Sequence, residues 1–399
     1  MALIDPVVIT NNSERPRTVT ILGSTGSIGC STVDLLNRNS DSFNVIAITA
    51  NTNVELLVKQ ALLLHPDVAI IQDTSKYEIL KDGLEGSGIE VMTGVASVIE
   101  AASRPADIVV AAIVGAAGLR PTLSAISQGS IVAIANKECL VCAGDLIMEE
   151  VNNCNSVLLP IDSEHNAIFQ VFEPNNSKEV ERIILTASGG PFLNWSTARM
   201  NTVTPEQAVL HPNWDMGRKV SVDSATLMNK GLELIEAAYL FPVLPEKIEI
   251  LVHPQSIVHS MVEYIDGSVL AQMASPDMRT PIAYSLSWPK RIQTPTKRLN
   301  LAEIGKLTFE NPDLERFPAL SLARESLSTG KGSTTILNAA NEVAVQSFLD
   351  YSIDFLGITR IIEETLKRVQ GYPIKSLSDC EQLDEESRTV ARGLVKKQL

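Results

Sequence analysis

The sequence lacks an apolar run long enough to cross a bilayer. Its longest, "IVVAAIVGAAGL" at residues 108–119, falls well short of the roughly 20 residues a membrane-spanning helix needs. Positive charge is also in deficit: 33 Lys and Arg stand against 47 Asp and Glu, a net charge of −14. That balance argues against nonspecific binding to nucleic acid or to an anionic membrane, and leaves room for a local basic pocket that takes a phosphorylated small molecule. Cysteine is scarce. Five are scattered through 399 residues, an odd number that fits reduced thiols and a cytoplasmic location. Cys139 and Cys142 form one C-x-x-C with no second pair, and the helical pattern of "CLVCAGDLIMEEV" favours a half-buried helix over a zinc or redox site. The N-terminal "MALIDPVVITNNSERPR" has no basic region, and Asp5 and Pro6 interrupt its apolar part. Residues 1–16 therefore read as a flexible leader and not as a signal peptide.

What is present is ordinary for a soluble enzyme: 45% apolar and 20% charged residues, in a chain long enough for two or three domains. Between residues 17 and 162, short β-rich runs such as "TVTIL", "FNVIAIT", "IVVAAI" and "VLLPI" alternate with amphipathic stretches. This alternation predicts a Rossmann-like α/β domain, a parallel sheet covered on both faces. Residues 163–290 change pattern to strands without regular intervening helices, an α+β domain with a hairpin at Asp266–Gly267. A polar, proline-rich linker follows at 291–316, and 317–399 reads as a C-terminal α-helical bundle.

The first strand runs into "GSTGSIG", a glycine turn that opens a helix. Gly23, Gly26 and Gly29 let backbone approach a pyrophosphate, and the helix N-terminus supplies N–H groups and a positive dipole end. The spacing G-x-x-G-x-x-G is a variant of the usual dinucleotide fingerprint. The second strand ends in "TANTN" with no acid before Glu55, which disfavours NAD. No Lys or Arg stands there either, so a 2′-phosphate would rest on backbone, Thr52 or Asn53. NADPH is the expected cofactor.

"PIDSEHNAIFQ" places two acids, Asp162 and Glu164, just past a strand end. Read as extended chain, both point to one side and repel unless a cation lies between them. Two solvated loop acids are the bland alternative. A third carboxylate, Glu233, sits on a helix read over 220–241, with Asn229 one turn away on the same face. Lys230 and Glu233 read either as a solvated i,i+3 pair or as site residues; Gly231 between them favours a ligand's close approach. Ser224, Asn229 and Lys230 are suitable phosphate donors. "TASGGPF" adds Ser188 at a turn. "HPNWDMGRKVSVDS" carries His211 and Trp214 in a polar stretch, read as a lid near 198–219 or as an anchor packed on the surface. Asn136, Lys137 and Glu138 follow a strand's C-terminal end, the edge where open parallel sheets bind ligands. His253 reads as structural, and His259 stays open as a site residue.

Taken together, "GSTGSIG", "ANKE", "PIDSEHNAIFQ", "TASGGPF", "HPNWDMGRKVSVDSATLMNKGLE" and "HPQSIVHSMV" resemble the 1-deoxy-D-xylulose 5-phosphate reductoisomerases over residues 18–390. The resemblance implies a homodimeric enzyme of isoprenoid precursor biosynthesis that uses NADPH and Mg²⁺, Mn²⁺ or Co²⁺. It implies dimerisation through the 163–290 region, metal ligands at Asp162, Glu164 and Glu233, and substrate contacts at Lys137, Ser163, Ser188, His211, Ser224, Asn229 and Lys230. Cofactor contacts fall on Thr25, Gly26, Ser27, Ile28, Asn136, Glu138 and Gly217, and Trp214 falls on a closing loop. One departure stands out: Asn51, Thr52 and Asn53 replace the family's common Gly-Lys/Arg-Asn.

Overall fold

The computed structural model describes residues 15–214 and 216–397. The expected leader, 1–16, lies outside the described residues except for Arg15 and Pro16, and Arg15 forms an ion pair with Asp107. The chain divides into two compact units. The first is the chain up to Cys139 with Ile147–Asn166 and Asp277–Lys297; the second is Leu140–Leu146, Ala167–Pro276 and Arg298–Leu399.

The first unit is built on seven parallel strands: β1 (Arg17–Leu22), β2 (Phe43–Ala50), β3 (Val68–Ile71), β4 (Glu90–Thr93), β5 (Ile108–Ala111), β6 (Ile131–Ile134) and β7 (Val157–Pro160). Their order is β4-β3-β2-β1-β5-β6-β7. Every residue of β3, β5, β6 and β7 is buried, as continuous apolar runs require in a sheet covered on both faces. The chain winds outward from β1 to β4, then crosses back to β5 and winds the other way. The reversal between β1 and β5 is the switch point, and ligands of such sheets bind beyond the strands' carboxyl ends there. Gly23 makes that junction possible: at φ 86°, a Cβ on it would stand 2.9 Å from the Ala112 carbonyl oxygen that follows β5. Residues Asp277–Lys297 return to this unit, where Arg17 donates to the carbonyl oxygens of Leu286 and Trp288 at 3.3 and 2.8 Å.

The second unit holds a four-stranded sheet and a helical region. Strands β8 (Val180–Ala187), β9 (Ile248–Val252), β10 (Val258–Tyr264) and β11 (Val269–Met273) pair in the order β11-β10-β8-β9. The hairpin expected at Asp266–Gly267 forms, with Gly267 at φ 85° and the Asp266 carboxylate accepting the Ser268 N–H at 2.8 Å. Four helices, Ala319–Thr329, Ser333–Leu349, Phe355–Arg368 and Leu377–Lys396, make the C-terminal region. The last two start on side-chain caps, Asp354 and Ser376.

Three local readings of the sequence change. The helix read over 220–241 is two helices, Arg218–Ala225 and Met228–Leu240, broken where Leu227 adopts φ 61°. A buried leucine in the left-handed region is strained, and such strain persists only where packing enforces it. Gly231 does not face a ligand: a Cβ there would lie 2.7 Å from the Ala323 Cβ, so it sets the close packing of Met228–Leu240 on Ala319–Thr329. Glu164 is not on extended chain, because a helix, Ser163–Val171, begins two residues after Ile161.

His253 is structural. It is fully buried just after β9, its Nδ1–H donates to the Thr308 carbonyl oxygen at 2.8 Å, and its Nε2 accepts the N–H groups of Ile257 and Val258, both at 3.2 Å. Burial lowers its pKa below the ordinary value, so the neutral ring is the folded form. Below about pH 6.5 the unfolded chain binds a proton the folded chain resists, and stability falls as pH falls through that window. The thermal midpoint should therefore drop more between pH 7.5 and 5.5 in the native chain than in His253→Gln; equal slopes would contradict this.

Candidate active site

In the first unit the turn after β1 leads straight into a helix. Gly26 is the N-cap of the helix Ser27–Arg38, and no side chain caps it. Gly26 and Ser27 are exposed, with Thr25 and Ile28 half-buried beside them. The leading N–H groups of a helix have no intrahelical partner and carry its positive dipole end. Beyond β2, Asn51, Thr52 and Asn53 are exposed, and the Asn53 side chain caps the helix Val54–Leu64 by accepting the Leu56 N–H at 3.2 Å. Beyond β6, the buried Asn136 amide donates to the carbonyl oxygens of Ile113 and, at 2.8 Å, Gly115, tying the turns after β5 and β6 together. Its Oδ1 is buried without a hydrogen-bond partner among the described residues. Glu138, also buried, opens the helix Glu138–Cys154.

The acidic turn follows β7 at this same carboxyl edge. Asp162 is the helix-entry residue: its carbonyl oxygen accepts the Asn166 N–H at 2.9 Å, and Glu164 lies on the first helical turn, where a carboxylate is favoured. The two acids stand at a helix start and not on extended chain, and their carboxylate oxygens lie within 4.8 Å of each other. The Lys137 ammonium forms an ion pair with Asp162, and the Ser163 hydroxyl donates to Glu164 at 2.7 Å.

The second unit gathers the remaining predicted residues. Ser188 and His211, 23 positions apart, meet at 2.8 Å. His211 Nδ1 accepts the N–H groups of Asn213 at 3.1 Å and Trp214 at 3.0 Å, so the ring proton sits on Nε2 and is donated to Ser188 Oγ. Ser188 Oγ also accepts the Gly190 N–H at 3.2 Å. With its oxygen serving two donors, the Ser188 hydroxyl hydrogen is free to donate to an anion. Gly190, at φ 65°, would place a Cβ 2.8 Å from the Ser224 carbonyl oxygen, so glycine lets this turn lie against the end of the helix that bears Ser224. On Met228–Leu240, Glu233 is fully buried and bonded by the Asn229 amide and the Lys230 ammonium. The solvated-pair alternative for Lys230 and Glu233 thus fails, since both are buried.

The segment read as a lid is not structureless. It holds two short helical turns, Thr197–Met200 and Pro205–Ala208, before Trp214, whose ring centroid is 5.9 Å from that of His259. Gly217 is exposed at the start of Arg218–Ala225.

Comparison with known proteins decides the family. Residues 19–144 match the 1-deoxy-D-xylulose 5-phosphate reductoisomerase family, 158–241 match its C-terminal domain, and 273–390 match a further DXP reductoisomerase C-terminal domain. The 1-deoxy-D-xylulose 5-phosphate reductoisomerase of Rhodospirillum centenum is 55% identical over 95% of this chain and 94% of its own. That of Zymomonas mobilis is 54% identical over 96% and 98%. The chain belongs to the 1-deoxy-D-xylulose 5-phosphate reductoisomerase family. The Zymomonas mobilis reductoisomerase solved in complex with NADPH superposes with a TM-score of 0.91 at 53% identity, covering 96% of this chain and 100% of that one. A DOX-P reductoisomerase solved with NADPH, fosmidomycin and magnesium gives 0.90 at 39% identity, covering 95% and 98%.

Within this reductoisomerase framework two residues stand out that the sequence reading did not assign. His165 is fully buried, and a ring nitrogen lies within 4.8 Å of an Asp162 carboxylate oxygen. Its signal was the Asp-to-His spacing of three, informative once a helix starts at Ser163. Asp223 is also buried, beside Ser224, and bonds to Lys219 and Asn341.

Proposed function

We propose that the chain catalyses the NADPH-dependent, divalent-metal-dependent reductive isomerisation of 1-deoxy-D-xylulose 5-phosphate to 2-C-methyl-D-erythritol 4-phosphate. The observation that carries this reading lies in the first unit: the paired carboxylates Asp162 and Glu164 share the carboxyl edge of the sheet with the uncapped Gly26–Ser27 helix start. One feature suits a metal and the other a pyrophosphate.

The residues fit both groups. For NADPH, the glycine turn supplies N–H donors, and the orphaned Asn136 Oδ1 is an acceptor ready for a ribose hydroxyl. For the cation, Asp162, Glu164 and Glu233 are the proposed oxygen ligands. Two of these acids are paired with lysine ammonium groups, Asp162 with Lys137 and Glu233 with Lys230. When bound, NADPH supplies a hydride and the cation a Lewis acid for the substrate's oxygens.

The chain's own groups do the rest. Ser188, Ser224, Asn229 and Lys230 hold the phosphate, so that binding energy remote from the reacting carbons positions them. His211 keeps the Ser188 hydroxyl directed as a donor, and Trp214 shields the site from water. Lys137, next to the acidic turn, contacts the substrate's hydroxyl end. The test is oxidation of NADPH on addition of 1-deoxy-D-xylulose 5-phosphate.

Cofactor preference follows from the exposed Asn51-Thr52-Asn53 turn, which offers no cation to a 2′-phosphate. Asn53 is committed in part to its helix cap. Thr52→Arg should raise the NADPH-over-NADH ratio of kcat/KM about tenfold, the worth of one charge-assisted contact; an unchanged ratio would contradict the placement.

A homodimer formed through the second unit's sheet is part of the proposal. Strand β11 is an edge, and its Val269 and Leu270 are 48% and 40% exposed, an apolar edge that a second copy would cover. A cytoplasmic location is consistent with five free thiols. No described helix is long and apolar enough to cross a membrane.

A further inference from the structure

We infer that Asp223 and Lys219 form a positioning pair that lets Ser224 bind a dianionic phosphate. The inference rests on the proposal that Ser224 contacts the substrate phosphate. Asp223 is 1% exposed in the helix Arg218–Ala225. One carboxylate oxygen accepts from the Asn341 amide at 2.9 Å, which pins this short helix to Ser333–Leu349. The other is paired with the Lys219 ammonium, also at 2.9 Å, one turn earlier on the same helix.

Two opposing requirements meet here. Ser224 sits on a helix only two turns long, so its hydroxyl needs a firm anchor; the Asp223–Asn341 bond supplies one at the adjacent residue. Yet a buried carboxylate next to an anion-binding serine repels the phosphate, and in low-dielectric surroundings that repulsion is strong. Lys219 cancels it. The pair therefore anchors Ser224 without adding net negative charge, and neither side chain needs to touch substrate.

The charge argument separates this role from plain packing. Lys219→Met should raise KM for 1-deoxy-D-xylulose 5-phosphate, and the inhibition constant of inorganic phosphate, at least about tenfold, with kcat within about threefold. Adding Asp223→Asn to that variant removes the uncovered charge and keeps a carbonyl oxygen for Asn341, so it should recover most of the lost affinity. A double variant no better than Lys219→Met would overturn the inference, as would a Lys219→Met enzyme with unchanged phosphate affinity. Ser224→Ala is the companion measurement. If it leaves KM and phosphate inhibition unchanged, the phosphate-site reading itself fails; if it raises both while the Lys219 and double variants stay at native values, only the positioning role fails.

Discussion

Glu233→Gln should lose turnover by on the order of a hundredfold or more while its NADPH affinity stays near the native value, a loss equivalent to about 2.7 kcal/mol of transition-state stabilisation. The substitution keeps the shape of the side chain and removes its charge. Glu233 is fully buried on Met228–Leu240, where its carboxylate is bonded by Asn229 and Lys230. An amide in its place still occupies the volume, but it binds a divalent cation far more weakly and leaves the Lys230 ammonium without its counter-charge. The turn proposed for the cofactor, Gly23–Ile28, belongs to the first unit and Glu233 to the second. Steady-state turnover and NADPH titration on one preparation separate the two effects. Near-native turnover would remove Glu233 from the metal set; equal losses of turnover and NADPH affinity would mark it as a folding residue.

The parallel sheet was legible because its signals are local. Continuous apolar runs, helical stretches between them and a glycine turn after the first strand each follow from nearest neighbours, and the seven strands lie where those runs stand. The same holds for the Asp266–Gly267 hairpin, whose turn residues dictate their own geometry. What stayed hidden depends on tertiary packing. Nothing in "SVDSATLMNKG" announces a break at Leu227, since leucine disfavours positive φ; the break exists because neighbouring elements hold it there. Gly231 looked like an opening for a ligand, and only the position of Ala323 shows that it serves a helix crossing.

The candidate site was legible as residue types and not as geometry. Asp162 and Glu164 stand out in the sequence by their charge, but strand alternation is not what places them, since the helix Ser163–Val171 starts between them. The same misplaced register concealed His165. Ser188 and His211 were chosen separately, and the contact between them, with the tautomer it fixes, comes only from the fold. Asp223 carries no signal in the sequence, because its partner Asn341 lies 118 positions away.

The central claim is that a divalent cation, held by carboxylates, is required for the chain to reduce its sugar-phosphate substrate. Lys137 pairs with Asp162 and Lys230 with Glu233, so each of these two carboxylates has a counter-charge from the chain itself. Chelation should abolish activity, because the lysines and carboxylates of the site supply no Lewis acid for the substrate's oxygens. The direct measurement is the rate of NADPH oxidation with 1-deoxy-D-xylulose 5-phosphate after exhaustive chelation, then after Mg²⁺ is restored. The rate should fall at least about a hundredfold on chelation and return with Mg²⁺, with the thermal midpoint little changed. Undiminished NADPH oxidation in excess chelator would contradict the metal requirement and leave a simple dehydrogenase in its place.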